Sequence, residues 1–125
     1  MTSDRVTVSA YNSLINRLLY DTVNNLRHTP RRLSRAANVV INRNEHTTAS
    51  QLNHAIYLVR RQHNQLANDI RFIDSALFEQ MCILLDISPN EVYTVLQRKY
   101  AAKCKAALEL AVRAERDYVK SIENK

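Results

Sequence analysis

The sequence predicts an all-α protein: a single helical bundle of about five helices, the last of them long. Three observations carry this. There is no glycine in 125 residues, there are only two prolines, and apolar residues recur at three- and four-residue steps along most of the chain. Sheets need tight turns, and those turns usually need glycine to reach positive φ. Helices need only caps, which Ser, Thr, Asp and Asn supply. No repeat, low-complexity run or linker divides the chain, so residues 1–125 read as one domain.

The first helix is expected from about Val8 to Leu26, with Val8, Tyr11, Leu14, Ile15, Leu18, Leu19 and Val23 on one stripe. Arg27-His28-Thr29-Pro30 ends it, because a proline disfavours helix at the preceding residue and suits the first turn of a new one. A second helix is expected near Pro30–Arg43, burying Leu33, Ala36, Ala37, Val40 and Ile41. Thr48-Ala49-Ser50-Gln51 has the spacing of a capping box. It opens a third helix that turns Leu52, Ala55, Ile56, Val59, Leu66, Ile70 and Ile73 inward and breaks near Asp74 or Ser75. A fourth covers roughly Ser75–Leu85, with Leu77, Phe78, Met81, Leu84 and Leu85 apolar. Ser88, Pro89 and Glu91 stand as N-cap, N1 and box residue of a last helix. That helix continues almost to Lys125 without a breaker and is about 50 Å long. Its length implies that it projects, bends back or pairs with a second copy.

The corner between the last two helices carries a motif. Phe78 to Gln97 resembles the helix–turn–helix of response-regulator and sigma-factor DNA-binding domains. Cys82 stands at the small position of the first helix, Ile87 just after the turn, and Val92 and Val95 at the apolar positions of the second. Two steeply crossing helices need such residues around their closest approach. Asp86 stands where glycine is usual, and aspartate tolerates the left-handed conformation better than most residues. The resemblance covers a sixth of the chain. It implies a recognition helix from Pro89 to about Tyr100, with Asn90, Glu91, Tyr93, Thr94 and Gln97 toward bases and Arg98, Lys99 and Lys103 toward phosphates.

Charge points the same way without the motif. Eighteen Lys and Arg against twelve Asp and Glu give a net charge of +6, a balance that suits a polyanion. Arg31, Arg32 and Arg35 form one cluster, flanked by Arg27 and Arg43, and Arg60 and Arg61 form another. Arg31 and Arg32 are expected in a first helical turn, where the dipole disfavours cations, so a phosphate partner would explain them. Arg98, Lys105, Arg113, Arg116 and Lys120 share one side of the last helix, with Glu109 and Glu123 interrupting. The opposite side carries Val92, Leu96, Ala107, Leu110, Ala114 and Tyr118, small enough for close packing, including against a second copy.

Other classes find little support. His28, His46, His54 and His63 form no H-x-x-x-H pair and no metal spacing with cysteine. A glycine-free chain has no phosphate-cradling loop and no hydrolase elbow. Asp69 and Asp74 near Arg71 read as surface pairing, and Cys82 and Cys104 as buried thiols of a reduced compartment. The expectation is therefore a non-enzymatic binder of duplex DNA or RNA. It has no cofactor, metal, membrane span or small-molecule substrate, and it forms a homodimer in the cytoplasm or nucleus. Twelve asparagines would suit a viral origin. The competing expectation is a helical assembly protein whose charge only keeps it in solution.

Overall fold

A computed structural model describes residues 2–123, with side chains from residue 12 onward. Val8 and Tyr11 therefore lie outside the described side chains. Four helices follow one another: α1 Thr2–Ile41, α2 Ala49–Ile73, α3 Ala76–Leu84 and α4 Pro89–Glu123. Over the described residues the fold is all-α as expected, with four helices in place of five.

The lost boundary is the one at Thr29-Pro30. Helix α1 passes through Pro30 without interruption, and both Thr29 and Pro30 are buried. An interior proline removes one backbone donor, here the partner of the Leu26 carbonyl, at a cost of about 3 kcal/mol. Burial on either side offsets it. Ile15, Leu19, Thr22, Leu26, Thr29, Leu33, Ala36 and Val40 alternate steps of four and three. All are buried except Leu19, which is half-buried. That phase continues unbroken across the proline, so one rod buries a longer stripe than two helices meeting at an angle. Arg31 and Arg32 consequently stand in mid-helix, and the expected dipole penalty on them does not arise.

The remaining boundaries match the sequence. The Thr48 hydroxyl accepts from the Gln51 amide at 3.1 Å, and the Gln51 side chain accepts from the Thr48 amide at 2.9 Å. Ser75 caps α3 through the Phe78 amide at 3.2 Å. Asp86 has φ 58°, and the amides of Ile87 and Asp86 donate to the carbonyls of Cys82 and Ile83 at 2.9 and 3.0 Å. This is a Schellman close with aspartate at the usual glycine position. Ser88 then accepts from the Glu91 amide at 3.4 Å, opening α4.

The three long helices form a triangle. Leu26 of α1 borders the same depression as Leu96, Tyr100 and Cys104 of α4. Arg43 reaches the Asp117 carbonyl at 3.4 Å. Residues 26–43 therefore run alongside 100–117, and α1 and α4 are parallel. Helix α2 runs the other way: the Tyr118 hydroxyl donates to Asn53 at 3.2 Å, Arg60 binds Glu115, and Ile70 and Ile73 come level with Tyr100. Leu33, Val40, Val59, Leu66 and Cys82 are the largest wholly buried side chains. Truncating Leu33 to alanine costs about 2–5 kcal/mol on this footing. Helix α3 closes one end of the bundle, its Phe78 ring edge-on to Phe72 at 5.7 Å.

Two smaller expectations change. Leu14, Leu18, Leu77 and Leu84 are exposed rather than inward. Asp69 is no surface partner of Arg71 but a buried carboxylate, bonded by the Gln65 amide at 3.1 Å and by Asn25 of α1. Among the described residues no helix is long and apolar enough to cross a membrane.

Candidate nucleic-acid interface

Which cations meet depends on which flank of each rod they occupy, at about 100° per residue. On α1 the flank toward α2 is marked by Asn25, which bonds Asp69. The opposite flank faces α4 and carries Arg27 and Arg31, with Arg17 and Arg35 beside them on the outer side. On α4 the flank toward α2 is marked by Glu115 and Leu108. The opposite flank faces α1 and carries Lys99 and Lys103. The parallel register sets Arg27 and Arg31 level with Lys99 and Lys103. One seam of the bundle is thus lined with positive side chains from both helices.

All five of Arg27, Arg31, Arg35, Lys99 and Lys103 are exposed. None forms an ion pair among the described residues, where the pairs found are Arg60–Glu115 and the exposed His46–Glu45. Local sequence explains why. No aspartate or glutamate occurs from residue 22 to 44 or from 92 to 108. The field over this stretch of the seam is therefore of one sign, and Asp117, on the same face of α4 as Lys99, lies about 27 Å further along.

The other expected contacts are placed elsewhere. Arg32 falls on the α2 side of α1, and Arg61 on the outer face of α2. Arg60 is committed within the chain: its guanidinium makes a two-pronged hydrogen bond to the Glu115 carboxylate and lies 5.4 Å from the Tyr118 ring centre. It is a strut between α2 and α4, not a free phosphate ligand. Arg43 is similarly engaged, donating to the Val40 carbonyl at 3.1 Å as a C-terminal cap of α1. Asn90, Thr94 and Gln97 are exposed on the α2-facing side of α4, with Arg98 and Lys105 on its outer side. Gln97 and Lys105 border the depression beside Ile70 and Ile73. The amide-bearing residues and the basic seam therefore occupy different sides of α4.

At the α3–α4 corner Cys82 is wholly buried and Val92 half-buried, while Ile87 and Val95 stand exposed. Two of the four side chains expected to fix the corner are thus in solvent. Arg17 and the α1–α4 pairing were the parts sequence reasoning missed, while Arg27 stood there only as a flank of the Arg31 cluster. The parallel register that brings α1 and α4 together leaves no mark on either segment alone. Among the described residues no three His, Cys, Asp or Glu cluster as a metal site would require. The chain matches no family profile, no curated protein and no solved structure.

Proposed function

We propose that this protein binds nucleic acid without catalysing a reaction, using the α1–α4 seam to hold phosphates. The observation that carries the reading is that Arg27, Arg31, Lys99 and Lys103 line adjoining flanks, with Arg35 beside them on the outer side of α1, all five exposed and free of carboxylate partners among the described residues. Cations held on stiff rods lose little order on meeting a regular polyanion, so a duplex is the favoured form. Recognition is chiefly by backbone, because cations spaced along rods track phosphates, while Asn24 and Asn38 stand exposed on the same side of α1 as Arg27 and Arg31.

A mobility-shift series against duplex DNA, duplex RNA and single strands tests this. Five phosphate contacts on B-form DNA give a log–log salt slope of about −4.5, so affinity falls about 500-fold between 50 and 200 mM salt. Absence of any shift at 50 mM salt would overturn the reading and leave the assembly role. The Schellman corner at Asp86 and the cap at Ser88 favour a second version, in which the start of α4 reads bases as in helix–turn–helix domains. Gln97→Ala separates the two. A changed sequence preference supports base reading, and an unchanged one supports the seam.

A further inference from the structure

The basic seam has an apolar end. Tyr20 is 70% exposed, the most exposed large apolar side chain among the described residues. It stands on the outer, α4-facing side of α1, in one row with Asn24, Arg27 and Arg31 at steps of four, three and four. Across the seam, Val95 precedes Lys99 by one turn on the same side of α4 and is 46% exposed. The register that sets Leu26 beside Tyr100 and Arg43 beside Asp117 brings Tyr20 level with Val95. On each wall, then, an exposed apolar side chain stands just before the cations.

The same level marks where the single sign ends. Asp21 follows Tyr20 on α1, turned toward α2, and Glu91 stands one turn before Val95 on α4, both exposed. Arg17 lies beyond them on the outer side of α1. A phosphate backbone continued in that direction meets two carboxylates and one arginine in place of unopposed cations. The face of a base carries no net charge and can lie there.

We propose that Tyr20 stacks on an unpaired base, so that the preferred ligand is a duplex whose strand runs on into a single-stranded overhang. This rests on the nucleic-acid reading of the seam and names the form of its ligand. The duplex backbone lies along Arg27, Arg31, Lys99 and Lys103, and the overhang leaves toward Tyr20, with Val95 extending the apolar floor on the α4 side. Bases inside a duplex stack on one another and offer only their edges. A tyrosine ring beside the duplex therefore finds a partner only where pairing has stopped. Spacing gives the length: seven residues place Tyr20 about 10 Å from Arg27, the rise of about three nucleotides of one strand. Tyr57, on the outer face of α2, and Tyr93, on the side of α4 turned from the seam, are exposed as well, but neither stands in line with the seam's cations.

Affinities at about 50 mM salt for a blunt duplex, the same duplex with overhangs of increasing length, and the single strand alone test this on the full chain. An overhang is expected to tighten binding about 5- to 100-fold, the gain levelling off at about three nucleotides. Tyr20→Ala should remove the gain and leave blunt-duplex affinity and its salt slope unchanged. Tyr20→Phe should keep it, because the ring and not the hydroxyl makes the contact, and so should the control Tyr57→Ala. The chain has no tryptophan, so Tyr20→Trp installs a single reporter, whose fluorescence the overhang should quench and the blunt duplex should not. Equal affinity for blunt and overhanging duplexes, a gain that survives Tyr20→Ala or is lost in Tyr20→Phe, or an unquenched Tyr20→Trp would overturn the stacking proposal and leave the seam as a phosphate-binding surface. Absence of binding to every one of these nucleic acids would overturn the seam reading as well.

Discussion

Asp69 is the only charged residue that is buried among those described. Burial pushes its carboxyl above the ordinary carboxylate range, while hydrogen bonds from Gln65 and Asn25 pull the other way. A carboxyl with a raised folded-state pKa stabilises the fold below its unfolded pKa, and that contribution is lost as pH rises through the folded value. Once ionised, the group therefore opposes folding. Asp69→Asn keeps an acceptor for Gln65 and removes the charge. It should raise Tm at pH 7, with the gap to the parent closing as pH falls toward 4. Thermal melts at one-unit pH steps check this, and a lower Tm at pH 7 would show that the bonds to the carboxylate outweigh its desolvation. The thiols follow the same physics. Burial raises the pKa of Cys82, and burial aided by Asp69 raises that of Cys104. Both are free and buried, so alkylation at pH 7.5 should be slow in the native protein and fast in denaturant.

Among the elements, α1 departs furthest from its sequence signal. Thr29-Pro30 is a sound local stop, yet the four–three spacing through Thr22, Leu26, Thr29 and Leu33 carries the helix across it. The local penalty of about 3 kcal/mol remains, because Pro30 offers no amide hydrogen to the Leu26 carbonyl. Pro30→Ala should accordingly be stabilising, raising the urea midpoint with the slope unchanged. The gain is up to about 3 kcal/mol, less whatever the smaller side chain loses at a buried site. A lower midpoint would mean that packing of the proline ring outweighs the missing hydrogen bond. The capped starts of α2 and α4 were readable because caps are local. A hydroxyl three residues from an amide needs no tertiary partner to be recognised. The inward faces of α2 and α4 were readable for a similar reason, as one stripe per rod. The outward turn of Leu14, Leu18, Leu77 and Leu84 was not, because a stripe wider than its contact leaves its edges in water.

For the molecule as a whole, the proposed function turns on where unpaired cations gather. The stretch of the α1–α4 seam around Arg27, Arg31, Lys99 and Lys103 is of one sign, and the edge of the depressions between α2 and α4 mixes both. Removing one cation from each wall of the seam, Arg31→Ala with Lys103→Ala, should weaken binding to every duplex alike. The salt slope should fall by about 1.8 if both contact phosphate. Arg61→Ala, on the outer face of α2, should leave affinity unchanged. Binding titrations at four salt concentrations read both results, and equal losses for the two variants would mean that net charge alone, and not the seam, governs association. The Arg60–Glu115 strut illustrates the division. Two residues that look alike in sequence, Arg60 and Arg61, are assigned to an internal tie and to solvent.

The sequence by itself determined the helical class, the caps, the inward stripes and the excess of positive charge. Each of these is a property of neighbours within about four residues or of composition. The tertiary structure alone decided that α1 runs through its proline, that α1 and α4 lie parallel, and which arginines share a surface. Those outcomes depend on burial summed over whole rods and on the register between segments some 70 residues apart. No local pattern encodes either one.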